Sequence, residues 1–187
     1  MQSPLQLLSV EQYLAAEAES EIRHEYVAGQ IFAMAGASEE HNLIAGNIYS
    51  RLRSHLRGTG CRVFISDMKV KIKINSAHIF YYPDLFVTCN SGDNQRYFKT
   101  EPCLIIEILS KHTQTIDKRE KRINYQSLES LQEYLLISPN QMKIEFYHRH
   151  PHEDWELTNL GQEDVLELKS VGLTLTMADI YEDVIGI

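Results

Sequence analysis

The sequence is short of the features that mark several classes of protein. Its 187 residues include five prolines and nine glycines, without a repeat or low-complexity stretch, which excludes collagen-like and disordered chains. No apolar run approaches the ~20 residues that a membrane-spanning helix needs, so we expect no membrane segment. The first residues lack the basic and apolar regions of a signal peptide, and we expect a cytoplasmic protein.

Cysteine and positive charge are also scarce. Cys61, Cys89 and Cys103 form an odd set without C-x-x-C spacing, so we expect three buried thiols in a reducing compartment rather than a disulfide framework or a zinc site. Lysine and arginine number 18 against 26 acidic residues, a net charge of -8. Because proteins that bind phosphates non-specifically are usually basic, any contact with nucleic acid is expected to be local.

The remaining composition, 43% hydrophobic and 24% charged, is that of a globular protein, and we expect a single domain over residues 1–187. Apolar periodicity predicts helices at 10–19, 39–57 and 115–128 and a hairpin at 25–34. The predicted strands are 61–66, 69–74, 79–89, 103–109, 133–138, 143–148, 155–160 and 172–180, the last leading into a turn or helix. This order predicts an α/β (α+β) fold in which helices flank a mixed central sheet.

Two acidic residues stand where charge is costly. Glu107 lies in a nearly all-apolar segment, typical of a central strand covered on both faces, where an unpaired carboxylate is strongly destabilising. Asp84 follows Pro83 inside another apolar run, and proline there indicates a strand end, edge or bulge. If the two strands are neighbours, the carboxylates converge as the oxygen ligands that hard divalent cations prefer. Alternatively, Glu107 pairs with a basic side chain and Asp84 caps a turn.

Several motifs together resemble a known family. They are Pro83-Asp84, Glu107-Ile-Leu-Ser110, and the helical series Asp117, Lys121 and Tyr125. The chain is similar to small bacterial proteins described as restriction endonucleases, within the PD-(D/E)XK phosphodiesterase superfamily. The similarity runs from Glu25-x-x-x-Gly29 to Gly172-Leu-x-Leu. It implies a restriction endonuclease-like fold, with a mixed four- to five-stranded sheet between helices.

The resemblance implies roles for particular residues, with one departure. The superfamily's lysine stands two residues after the glutamate, where this chain has Leu109. Lys121 on the next helix is the candidate to replace it, with Lys118 in reserve, since residues 117, 121 and 125 share one helix face. Alternatively, Lys121 forms an ordinary ion pair with Asp117 on a solvated surface.

The start of the 39–57 helix offers a further pair. Glu40 shares a stripe with Ile44 and Ile48, and the superfamily often adds a glutamate from its first helix to the metal site through water. The alternative is an acid that complements the helix dipole in the first turn. His41 is either a phosphate or water contact or an ordinary, partly buried histidine.

Together with these residues, the resemblance implies a Mg²⁺- or Mn²⁺-dependent endonuclease acting on DNA. Asp84, Glu107 and the backbone carbonyl of Ile108 would hold the metal, Lys121 would steady the attacking water, and Glu40 would hold an outer-shell water. The alternative is a catalytically inactive nuclease-fold protein that serves as a binding or regulatory module. A metal-dependent hydrolase of small phosphoesters also fits the acidic charge. We expect a homodimer, in which the apolar segment 173–180 forms either a twofold interface or the last piece of the core.

Two further patterns are given ordinary interpretations. The alternation of Lys69, Lys71 and Lys73 is typical of the solvated side of a strand. His148-x-His150-x-His152 resembles a metal cluster, but a proline interrupts it and zinc sites rarely use this spacing, so we interpret it as a polar hairpin tip.

Overall fold

The computed structural model describes residues 7–110, 117–150 and 154–184, and the side chains of all of these except residues 117 and 118. The largest sheet has six strands in the order β11-β10-β9-β8-β6-β3. Its strands are β3 (Arg62–Ile65), β6 (Leu85–Thr88), β8 (Leu104–Ile108), β9 (Glu133–Ile137), β10 (Ile144–Arg149) and β11 (Trp155–Leu160). Because β8 pairs parallel with β9 and antiparallel with β6, the predicted mixed central sheet is confirmed.

A second sheet has five strands in the order β2-β1-β5-β4-β7. They are β1 (His24–Val27), β2 (Gln30–Ala33), β4 (Lys69–Ile74), β5 (Ala77–Tyr81) and β7 (Phe98–Lys99). A separate hairpin joins β12 (Val165–Leu168) to β13 (Leu173–Thr176). The helices are α1 (Val10–Glu19), α2 (Glu39–His55), α3 (Arg122–Gln126), which follows a π-helical turn at Asp117–Lys121, and α4 (Met177–Ile180).

The two faces of β8 pack into different hydrophobic clusters. Leu104, Ile106 and Ile108 point toward the cluster that contains the buried stripe of α2. Ile105 and Leu109 point the other way, into a cluster shared with β4 and β5 of the second sheet. Since side chains alternate along a strand, Glu107 faces the space between the two sheets.

Local signals explain the elements that frame this space. The β1–β2 hairpin turns at Ala28 and Gly29, whose φ angles of 48° and 101° lie in the left-handed region that glycine tolerates best. Helix α2 begins after Ser38, whose hydroxyl accepts a hydrogen bond from the backbone N–H of His41 at 3.3 Å. Both the hairpin and the N-terminus of α2 lie where the sequence predicts them.

The predicted strand 79–89 is wrong as one element. It divides into β5 and β6, which belong to different sheets, and the chain crosses between them at residues 82–84. Pro83 accounts for the break, because it has no backbone N–H and cannot continue a ladder. The division places Asp84 directly before β6, at a strand end such as the proline indicates.

The expectation of three free thiols is wrong for two of them. Cys61 and Cys89 form a disulfide, while Cys103 is a buried free thiol. The cause is strand pairing: Arg62 and Thr88 are partners in the β3–β6 ladder, so the cysteines beyond them face each other. Their Cα atoms are 4.0 Å apart although 28 positions separate them in sequence. The cysteines therefore give no support to a reducing compartment.

The solvated interpretation of Lys69 is also wrong. This residue is buried, and its ammonium donates a hydrogen bond to the Tyr82 hydroxyl at 3.1 Å. The Tyr82 hydroxyl in turn donates to Glu17 at 2.8 Å. Burial lowers the pKa of Lys69 from its ordinary value. In the described part of the chain, no helix is long and apolar enough to cross a membrane.

Candidate active site

Asp84 lies beside β8, as the prediction of neighbouring strands requires. Leu85 is the partner of Ile106 in the β6–β8 ladder, and one further step places Asp84 opposite Glu107. The Asp84 Oδ2 atom accepts a hydrogen bond from the backbone N–H of Ile108 at 2.7 Å. The two acidic residues thus stand at facing positions of adjacent strands, and the contact to Ile108 fixes the direction of the Asp84 side chain.

Glu107 is buried, with 4% of its side chain exposed. Its Oε1 atom accepts a hydrogen bond from the Tyr125 hydroxyl at 3.0 Å. Burial, followed by the negative charge of Glu107, raises the pKa of Tyr125 well above its ordinary value. Tyr125 therefore stays protonated and acts as the donor of this hydrogen bond.

Lys121 joins Glu107 to a third carboxylate. Its Nζ atom is 3.6 Å from Glu107 Oε1 and 2.8 Å from Glu25 Oε1, and only 6% of its side chain is exposed. It also lies over the Tyr81 ring, 5.3 Å from the centroid. The alternative of a solvated surface pair is therefore wrong for Lys121. The side chains of Asp117 and Lys118 lie outside the described part of the chain.

The N-terminus of α2 places His41, not Glu40, against Asp84. His41 Nε2 is 3.0 Å from Asp84 Oδ1, the geometry of a hydrogen bond to the carboxylate. Hydrogen bonds from the Ser38 side chain and its own backbone lower the pKa of Glu40. The first-turn interpretation of Glu40 thus describes the contacts seen at this residue, and its outer-shell role stays a prediction.

Glu25 is the site residue that sequence reasoning assigned no role. It lies in β1 of the five-stranded sheet, and it also accepts a hydrogen bond from the backbone N–H of Tyr82 at 3.2 Å. Tyr82 is two positions before Asp84, so Glu25 connects the ammonium of Lys121 to the segment that carries the aspartate. The signal that could have found it is the Glu25-x-x-x-Gly29 motif, in which the glycine is explained by the hairpin turn and the glutamate is not.

The arrangement concentrates acidic oxygens between the two sheets. Three carboxylates (Glu25, Asp84 and Glu107) accompany one ammonium (Lys121), so the described charges leave a net negative site when His41 is neutral. Hard divalent cations bind such oxygen donors. Each Asp84 oxygen accepts one described hydrogen bond and keeps a further lone pair for another ligand.

Comparison with known proteins identifies the family. The model of the Uma2 family, described as "Putative restriction endonuclease", matches residues 10–178. The chain belongs to the Uma2 family. Two similar proteins come from Synechocystis sp.: slr1290 is 38% identical over 180 residues, covering 96% of this chain and 94% of that protein. The second, sll1609, is 32% identical over 161 residues, covering 84% of this chain and 90% of that protein.

A solved structure shares the fold of this Uma2 protein. It is a crystal structure from Anabaena variabilis, described as "a putative nuclease belonging to DUF820". The TM-score is 0.75, with 95% of this chain and 99% of the other covered, at 18% sequence identity. This likeness confirms the restriction endonuclease-like α+β fold, and membership of the Uma2 family confirms the resemblance seen in the sequence motifs. Family and fold support a nuclease, whereas the metal and the homodimer stay predictions.

Proposed function

We propose that this Uma2 protein is a Mg²⁺- or Mn²⁺-dependent endonuclease that hydrolyses phosphodiester bonds in DNA. The observation that carries the proposal is the register of the β6–β8 ladder, in which Asp84, the residue before β6, comes opposite Glu107 of β8, with the Lys121 ammonium 3.6 Å from Glu107. Family membership supports nuclease chemistry and DNA as the substrate.

The donor set fits a hard divalent cation. Asp84 and Glu107 supply carboxylate oxygens, and the carbonyl of Ile108 is the third proposed ligand. The N–H of Ile108 points to Asp84, and in an extended strand the N–H and C=O of one residue face the same neighbour. The ion would supply polarisation of a phosphate oxygen and a bound water of lowered pKa.

The chain's own residues position and balance this chemistry. His41 donates to Asp84 and holds its carboxylate toward the site. Lys121 offsets the charge of Glu107 and is the proposed donor to the attacking water or to the phosphate. Glu25 keeps the Lys121 ammonium in place. Glu40, one residue before His41, is the proposed holder of an outer-shell water.

Leu109, which stands where the superfamily has its lysine, does not by itself favour the inactive alternative. It is buried in the core between the two sheets, so a lysine at this position would replace a packed apolar side chain. Lys121 brings an ammonium to Glu107 from another element instead. The lysine of the superfamily motif thus has a replacement next to the same glutamate, which favours an enzyme over a silent binding module.

The test is cleavage of supercoiled plasmid and of single-stranded DNA with Mg²⁺ or Mn²⁺, comparing wild type with Asp84→Asn. We expect metal-dependent cleavage by the wild type and at least a ~100-fold loss in the variant, as for removal of a group on which the transition state depends. Asp67→Asn is the matched control, because Asp67 is 77% exposed and close in the chain. Equal cleavage by the wild type and Asp84→Asn would contradict the assignment. No cleavage by folded wild type would favour the binding module.

A further inference from the structure

Two histidines and a glutamate outside the candidate active site come together at the end of the β10–β11 hairpin. His148 and Glu156 are partners in the ladder of these two strands, and His150 follows β10 directly. The Nε2 atoms of the two histidines are 3.1 Å apart. Glu156 Oε2 is 2.5 Å from His150 Nε2 and 3.3 Å from His148 Nε2. Three potential ligand atoms therefore surround one point.

Hydrogen bonding alone does not satisfy this triangle while Glu156 is ionised. Each contact between two of the three atoms needs one donor and one acceptor. With an ionised Glu156, both imidazoles must donate to it, and their two N–H groups then oppose each other. If instead one imidazole nitrogen accepts a hydrogen bond from the other, its lone pair lies against the negative oxygen of Glu156, which is also unfavourable.

A cation at the centre removes the conflict, since all three lone pairs then point at positive charge. The size also fits. A tetrahedral zinc ion with bonds of ~2.0–2.1 Å separates its ligand atoms by about 3.3 Å. The distances from His148 Nε2 to His150 Nε2 and to Glu156 Oε2, 3.1 and 3.3 Å, are close to this value. The shorter distance between His150 Nε2 and Glu156 Oε2 would have to increase when the ion binds. The open side faces solvent, because 40% of the His150 side chain and 59% of the Glu156 side chain are exposed.

We propose that His148, His150 and Glu156 bind Zn²⁺, with water as the fourth ligand. Imidazole nitrogen favours zinc and its transition-metal neighbours over Mg²⁺ or Mn²⁺, so this site differs in chemistry from the Asp84–Glu107 site. It also lies on the other face of the central sheet. Phe146, two residues before His148, packs into the cluster on the α2 side. The ion would tie β10 to the edge strand β11.

The sequence interpretation of a polar hairpin tip missed the third ligand. The spacing of His148 and His150 alone is not typical of zinc sites, and residue 152 lies outside the described part of the chain. What completes the site is Glu156, which strand pairing brings opposite His148. Such a ligand is invisible in a linear motif, because it depends on the register of the hairpin.

The test is a Zn²⁺ titration of tag-free protein against a chromophoric chelator, with all chains carrying Asp84→Asn so that the candidate catalytic site is disabled. We expect one Zn²⁺ per chain with a Kd below about 1 µM. His150→Gln and Glu156→Gln should each raise that Kd at least ~100-fold, beyond the ~10- to 100-fold typical of residues that only orient a ligand. His78→Gln, in another hairpin, and Glu163→Gln, at an exposed position after β11, are the matched controls and should leave the Kd unchanged.

Co²⁺ gives a second readout that a loss of stability would not imitate. The chain with intact ligands should show the strong visible absorption of a tetrahedral Co²⁺ complex, and Glu156→Gln should lose it while its circular dichroism is unchanged. A Kd above about 100 µM for the Asp84→Asn chain with intact zinc ligands, or equal Kd values for His150→Gln and His78→Gln, would overturn the proposal. Because Asp84 is already substituted, neither result depends on whether the protein cleaves DNA.

Discussion

Lys121 is held by two carboxylates in a largely dehydrated environment. Its ammonium contacts Glu25 and Glu107, and the exposed fractions of the three side chains are 6%, 13% and 4%. Removing one partner of such a buried ion pair is strongly destabilising, because the remaining charge keeps its desolvation cost without its partner. The same contacts hold the ammonium beside the proposed metal ligand, so we expect both the stability and the proposed activity to depend on Lys121.

The Glu25–Lys121 contact predicts strong energetic coupling. Lys121→Met should lower the free energy of unfolding by about 3 kcal/mol or more. In the Lys121→Met background, Glu25→Gln should lower the free energy of unfolding by less than it does in the wild type. The expected coupling energy is ~1–3 kcal/mol. Urea unfolding of the four chains of this double-mutant cycle measures the coupling.

The exposed pair Arg23–Asp67, with side chains 43% and 77% exposed, is the control for that cycle. A solvated pair of this kind should couple by less than about 1 kcal/mol. Similar coupling energies for the two pairs would mean that Lys121 is solvated in solution, and the proposed catalytic role would lose its structural basis.

Among single residues, the two central carboxylates were predictable and Glu25 was not. Asp84 and Glu107 stand out because each is a charge within an apolar run, which a sequence tolerates only with a partner. Glu25 lies in a short hairpin strand, where a glutamate needs no explanation. Its role comes from Lys121, which the fold brings to it from a distant segment.

At the scale of elements, the side chains of the candidate site come from junctions between elements. Lys121 ends a π-helical turn, and Tyr125 lies in the α-helix that follows it. Such π-helical turns are often found at functional sites, since the wider turn redirects the side chains it carries. Here Lys121 and Tyr125 both contact Glu107.

The Cys61–Cys89 disulfide joins the ends of β3 and β6, and β6 begins directly after Asp84. Closing a loop of 28 residues should stabilise the fold by about 3–4 kcal/mol through the unfolded state. We expect Cys61→Ser/Cys89→Ser to lower the free energy of unfolding by that amount, measured by urea denaturation under non-reducing conditions. The double variant is needed because Cys89 Sγ is also 3.8 Å from Cys103 Sγ.

Cys103→Ser is the control for the disulfide prediction. Burial raises the pKa of the Cys103 thiol to about 11, so this group stays protonated and takes no part in the covalent link. A reducing agent should therefore lower the unfolding midpoint of Cys103→Ser by as much as it lowers that of the wild type. If reductant leaves the unfolding midpoint of the wild type unchanged, the disulfide does not stabilise the protein in solution.

Apolar periodicity predicts most of the helices and strands, and the predictions that are wrong have physical causes. Helix α2 has a cap, an acidic first turn and an apolar stripe that agree with one another. The segment 79–89 is predicted as one strand because most of its residues are apolar, but Pro83 divides it between two sheets. The disulfide could not be predicted because it depends on which strands pair, and sequence spacing does not contain that information.

At the scale of the molecule, the candidate site belongs to neither sheet alone. Glu25 comes from the five-stranded sheet, Glu107 from the six-stranded sheet, and Asp84 from the crossing between them. A shared hydrophobic cluster holds the two sheets together around this site. The element order could predict one mixed sheet, whereas the second sheet depends on long-range pairs such as β1 with β5.

The most direct test of this account is the anomalous difference map of a crystal soaked in Mn²⁺. We predict a peak between the carboxylates of Asp84 and Glu107, on the side of β8 to which the backbone of Ile108 points, and its absence from a matched Asp84→Asn crystal. A fully soaked wild-type crystal with no peak there would contradict the proposed metal centre, and with it the assignment of Asp84 and Glu107 as the groups that bind the catalytic ion.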